Sequence, residues 1–162
     1  MDRHDFIVRY AGIYEHSPWV AERVAPHVVA DDDVKKLAAM MADCVDNAAT
    51  ERQLELIRAH PDLAGKAQLA GELTEDSTFE QASAGLDQCS PDEFERFQSL
   101  NTAYWEKFGF PFVMAVRGRH RAEILDAFAA RLENDYDLEF ETALIEIHKI
   151  ARLRLDAMGA AE

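Results

Sequence analysis

A chain of 162 residues, 48% hydrophobic and 30% charged, suits one soluble globular domain with a real core, not a disordered chain or two comfortable domains. Its formal net charge of −14 repels nucleic acid and anionic membrane surfaces, so neither is an expected partner. Two cysteines cannot staple a scaffold, and with no signal-like N-terminus, no apolar run of about 18 residues and no C-terminal targeting tripeptide, a reducing cytoplasm is expected.

Nearly every segment carries the period of an amphipathic helix and no segment alternates as a strand would, so the fold is expected to be all-α. The expected architecture is a single compact domain over residues 1–162 with about eight or nine helices. The predicted helices cover about 3–11, 17–26, 32–48, 50–59, 63–72, 77–86, 91–107, 119–133 and 138–157. Ser17-Pro18 and Ser90-Pro91 each place an N-cap before a proline at the first helical position. Asp31-Asp32-Asp33 reads as a helix start whose charges suit the dipole, and Ser77-x-x-Glu80 reads as a capping box. Gly109 and Gly118 fit C-terminal stops or bends. Cys44 falls on an apolar helix face, where packing is its expected role, and His4, His16, His27, His120 and His148 are scattered at surface or flanking positions.

Four places break the helical rule. His60-Pro61-Asp62 closes one helix before the Gly-containing stretch Leu63 to Lys66, so proline fixes the histidine at a rigid corner. Its imidazole, with an ordinary pKa near roughly 6.5, can exchange a proton at cellular pH. The stretch 109–118 is too apolar for an exposed loop and too short and proline-broken for a helix. It predicts an extended, buried connector whose backbone bonds neighbouring helices or, in part, a ligand. On the last helix, Phe140, Leu144, Ile147 and Ala151 form one stripe, and Arg154 lands about 40° from Phe140, inside it. That guanidinium must snorkel, pair with a buried carboxylate, or clamp a substrate carboxylate or imide. Asn101 lies amid Phe94, Phe97, Tyr104, Trp105 and Phe108, where an amide most simply serves a neighbouring carbonyl.

Neither Glu-x-x-His, His-Glu-x-x-His, CxxC nor an EF-hand loop occurs, so a dedicated metal site is unsupported. The sequence also lacks Gly-x-Ser-x-Gly, a phosphate loop and a dinucleotide fingerprint.

Taken together the motifs resemble the 2-oxo-4-hydroxy-4-carboxy-5-ureidoimidazoline (OHCU) decarboxylase family of urate degradation. The likeness runs in order from Tyr14-Glu15-His16-Ser17-Pro18-Trp19 through His60-Pro61-Asp62-Leu63-Ala64 and Ser77-Thr78-Phe79-Glu80-Gln81. It continues through Ala84-Gly85-Leu86, Leu100-Asn101, Tyr104, Lys107-Phe108-Gly109-Phe110-Pro111-Phe112 and Ala115-Val116-Arg117-Gly118 to Glu146-Ile147 and Ile150-Ala151-Arg152-Leu153-Arg154-Leu155. The resemblance implies an all-helical homodimer that uses no cofactor and converts OHCU, a small-molecule substrate, to (S)-allantoin with loss of CO2. It further implies that His60 and Glu80 are catalytic, that Pro61, Ser77, Gln81 and Arg154 bind substrate, and that the Phe110–Phe112 stretch meets it through the backbone. His60 would then be the general acid/base and Glu80 would favour departure of the carboxylate. Two other readings stand beside this one: a J-domain-like co-chaperone, which also carries His-Pro-Asp between helices, and a non-catalytic helical binding module.

Overall fold

The computed structural model describes residues 2–29, 32–65 and 72–160, and among them every regular element is helical. The α-helices are α1 (Arg3–Tyr10), α2 (Trp19–Val24), α3 (Val34–Asp46), α4 (Thr50–Arg58), α5 (Glu75–Ser83), α6 (Pro91–Phe108), α7 (Arg121–Leu132) and α8 (Tyr136–Ala160). Short 3-10 turns cover Ala25–His27 and Leu86–Gln88. The predicted helix over 63–72 lies mostly outside the described residues, and its first three positions form a turn.

Helix starts follow local chemistry. Asp33 caps α3 by accepting from the Lys36 amide, as the acidic run implied. Ser90, Pro91 and Glu93 form a full capping box on α6, and that helix stops at Gly109 in the left-handed region (φ 74°). Two expected caps are displaced. Helix α5 starts earlier than predicted because Thr74, not Ser77, accepts from the Ser77 amide, so Ser77 sits one turn inside with its side chain buried. Ser17 does not cap α2; its hydroxyl donates to the Glu15 carbonyl at 2.9 Å, and the α-helix gives way at Ala25 to a 3-10 turn carrying Pro26. His120, expected only as a flanking residue, caps α7 in a box with Glu123.

The chain divides into two compact units, Met1–His60 with Ile147–Glu162, and Pro61–Glu146. The first centres on apolar side chains of α1 to α4, among them Met41, Val45, Leu56 and Ile57, together with Ile147 and Leu155. The second centres on Phe97, Tyr104, Phe112 and Phe128; the last two stack at 3.9 Å, and Tyr104 meets Phe112 edge-on at 5.5 Å.

The stretch 109–118 is the extended connector expected, with Phe110, Phe112, Val113, Met114 and Val116 buried. Its backbone is served by side chains. Arg131 on α7 donates to the Val113 carbonyl at 2.7 Å, and the Ala115 amide donates to the Glu146 carboxylate on α8 at 3.3 Å. Among the described residues no helix is long and apolar enough to cross a membrane.

Candidate active site

In the first unit, α4 ends at Arg58 and delivers His60 immediately before Pro61. The imidazole is buried, and its Nδ1 lies 2.9 Å from the Leu56 carbonyl oxygen one turn back. A carbonyl can only accept, so Nδ1 carries the proton and Nε2 carries the lone pair. Burial pushes the His60 pKa down to about 4; the bond to Leu56 and the Glu15 charge oppose that fall, while Arg154 adds to it. At neutral pH the ring is therefore a neutral base with a fixed tautomer.

Arg154 is as misplaced as its helical position implied, and the buried carboxylate it finds is Glu15. Nη2 donates to Glu15 Oε2 at 3.0 Å with both side chains almost wholly inside (5% and 2% exposed). Nη1 donates to the Gly12 carbonyl at 3.1 Å and, more weakly, to that of Ile13 at 3.5 Å. The turn supplying these acceptors is pinned by the Ser17 hydroxyl and turns sharply at His16, a non-glycine residue at φ 46°. Glu15 is the buried partner of Arg154 that sequence reasoning did not single out. It lay inside the quoted Tyr14-to-Trp19 motif, but in a turn with no helical period to mark it as buried.

Beside Glu15 along the chain, Tyr14 donates its hydroxyl to His148 Nδ1 at 2.8 Å, and His148 Nε2 lies 2.9 Å from Asp46. His148 is therefore not merely a flanking residue. Burial, with the nearby Asp46 charge, holds the Tyr14 hydroxyl well above the usual phenol range, so it stays protonated.

In the second unit, α5 carries Ser77, Glu80 and Gln81 within two turns; Ser77 and Gln81 are buried and Glu80 is half-buried. The Gln81 amide spans the turn after Pro61, accepting from the Ala64 amide at 3.0 Å and donating to the Asp62 carbonyl at 3.2 Å. Helix α6 grips the same turn. Gln98 donates to the Ala64 carbonyl at 2.7 Å, and Asn101 donates to that of Leu63 at 3.0 Å, the use expected for its buried amide. Ala64 sits at φ 50°, and a side chain at Gly65 would press within 2.8 Å of the Asp62 Cβ, so the turn is tight and strained. Phe110 and Phe112 are 0% and 1% exposed, their rings packed into the aromatic cluster, which leaves the backbone as their means of meeting a ligand. Of the residues singled out in the sequence, the first unit thus holds His60 and Arg154 around Glu15. The second holds Pro61, Ser77, Glu80, Gln81, Phe110 and Phe112.

The profile of the OHCU decarboxylase family matches residues 1–156. A 2-oxo-4-hydroxy-4-carboxy-5-ureidoimidazoline decarboxylase of Haloferax volcanii is 46% identical over 162 residues, covering 100% of this chain and 94% of its own. The chain belongs to the OHCU decarboxylase family. Membership accounts for the His-Pro-Asp corner without a co-chaperone. Within the family's reach lies the uric acid degradation bifunctional protein PucL of Bacillus subtilis, 41% identical over 155 residues, of which the match covers 96% of this chain and 30% of that protein. Among solved structures, (S)-allantoin synthase superposes with a TM-score of 0.78 at 32% identity, over 97% of this chain and 50% of that one. OHCU decarboxylase in the presence of (S)-allantoin gives 0.73 at 25% identity, over 91% and 95%.

Proposed function

We propose that this protein is a lyase that decarboxylates OHCU to (S)-allantoin in urate degradation, without a cofactor. The observation that carries the proposal is a buried, neutral, tautomer-locked His60 beside a buried Arg154, in a chain matched to the decarboxylase family over residues 1–156.

The chemistry required is compact. When the bond between the ring and its carboxylate breaks, CO2 leaves neutral and the electron pair stays on the carbon that bears the hydroxyl. The pair forms a double bond to the neighbouring ureido-bearing carbon, whose ring imine receives the displaced electrons and takes up one proton from solvent at nitrogen, the proton that the net reaction consumes. The hydroxyl must then lose its proton while the ureido-bearing carbon gains one, on one face only. His60 Nε2 takes the hydroxyl proton and returns it to carbon, a general base becoming a general acid. Glu80, an anion beside the departing carboxylate, favours its conversion to neutral CO2. Ser77, Gln81 and Arg154 hold the ureido and carbonyl groups, Pro61 shapes the turn, and the backbone of Phe110–Phe112 completes the ring contacts. The same reading extends to one catalytic domain working as a cytoplasmic homodimer.

The experiment supplies OHCU freshly from urate, its oxidase and its hydrolase, and follows optical activity by circular dichroism. Wild-type protein is expected to yield the (S) enantiomer promptly, and His60→Asn or Glu80→Ala to lose about 10³-fold in kcat, the order expected of one positioned catalytic group. Folded variants with undiminished turnover would remove the scheme.

A further inference from the structure

Glu15 has no part in the scheme above, yet its carboxylate is 2% exposed and bonded to Arg154. One turn of the chain supplies the guanidinium with three acceptors: the carbonyls of Gly12 and Ile13, and this carboxylate. Its backbone is fixed independently, by the Ser17 hydroxyl on the Glu15 carbonyl and by the left-handed residue His16. Geometry alone needs no charge here, since a third neutral acceptor would hold the plane of Arg154 equally well, and burying a carboxylate is costly. What the charge adds is cancellation.

We infer that Glu15 sets the specificity of this site: by neutralising Arg154 it makes the guanidinium a partner for the uncharged ureido and carbonyl oxygens of the substrate, not a counter-ion for its carboxylate. The inference rests on the decarboxylase reading. An arginine ion-paired with the substrate carboxylate would stabilise an anionic charge that vanishes as CO2 leaves, and so would bind the ground state better than the transition state. An arginine already matched by Glu15 contributes far less to that unproductive pairing, while its planar N–H donors still orient neutral oxygens. Arg154 then sets where the ring lies, and the carboxylate is left where its charge is poorly served.

The test uses two ligands that share a hydantoin ring: (S)-allantoin, with a neutral ureido arm, and hydantoin-5-acetate, with a carboxylate. Titration calorimetry on the full chain is expected to show wild-type protein binding allantoin at least about tenfold more tightly than hydantoin-5-acetate. Glu15→Gln, of equal size but uncharged, should bind hydantoin-5-acetate about tenfold more tightly than wild type and allantoin within about threefold, while kcat for OHCU falls about tenfold and KM does not rise. A purely structural role would weaken both ligands together and raise KM. Glu15→Asp keeps the charge on a shorter arm and serves where the glutamine variant fails to fold: it should keep the wild-type ligand preference with a lowered kcat. A wild type that binds both ligands equally, a Glu15→Gln protein with an unchanged ratio, or a Glu15→Asp protein with a reversed one would overturn the inference. Wild-type protein that makes no (S)-allantoin from OHCU would instead sink the decarboxylase reading itself.

Discussion

Among the described residues each unit of the molecule holds a deeply buried arginine–glutamate pair, and the two pairs are built differently. In the second unit Glu139, 0% exposed, accepts from Arg131 Nε and Nη2 at 3.0 and 2.8 Å, from the Tyr104 hydroxyl at 2.6 Å and from Asn134 at 2.9 Å. Burial raises the Glu139 pKa, but the bonds from Arg131, Tyr104 and Asn134 outweigh it and the net direction is down. Arg131 also holds the Val113 carbonyl and lies over the Phe112 ring at 4.3 Å. The contacts there tie α6, α7 and α8 to one another and, through Arg131, to the connector. The Arg154–Glu15 pair joins residues 139 apart in the chain, Nη2 donating to Oε2 at 3.0 Å, beside a histidine held neutral. Buried charge in the second unit organises the fold, and in the first it surrounds a base.

The sharpest way to break that contrast is a matched pair of conservative exchanges. Arg154→Lys keeps the charge and loses the planar fork, and kcat/KM should fall about 10³-fold, roughly 4 kcal/mol. Arg131→Lys should leave kcat/KM within about fivefold, so equal losses in the two variants would erase the distinction. Next in size, Glu139→Gln strips the charge from a saturated cluster and should cost about 3–5 kcal/mol in urea unfolding. A loss below about 1 kcal/mol would show the cluster to be dispensable.

Acid sharpens the comparison from the other side. Because the His60 pKa is lowered from 6.5 to about 4, the unfolded chain binds the proton more readily than the folded one between those values. Its contribution to stability is intact above pH 6.5 and declines as pH falls through that window, by about 3 kcal/mol in all. Urea unfolding of wild type against His60→Asn across that range isolates the effect, which the variant should lack. Turnover, needing the neutral ring, should stay flat from neutral pH down to near about 5.

What the sequence disclosed divides along physical lines. Asn101 and Arg154 were visible because helix geometry exposes a polar side chain in the wrong place without revealing its partner, and His60 because the proline after it sets it at a corner. The connector was visible because an apolar, proline-broken run has few other options. Glu139 escaped notice and Glu146 entered only through the family likeness, although both are buried on α8, since a glutamate beside an apolar stripe reads as solvated until its partners on α6, α7 and the connector are known. Glu15 escaped for a different reason. Its partner lies at the other end of the chain, and its turn has no period from which burial could be deduced. The Ser77 box failed because Thr74 offered the same chemistry three residues earlier, with Glu75 and Asp76 ready to occupy the first turn.

The single hydrogen bond from His60 Nδ1 to the end of α4 reaches as far as the handedness of the product. An imidazole whose second nitrogen is engaged cannot relay a proton through the ring; whatever Nε2 picks up must depart from Nε2. Under the proposed chemistry the proton is then lost and regained on the face that His60 meets, and a main-chain oxygen, by fixing which nitrogen carries it, helps set the hand of the product.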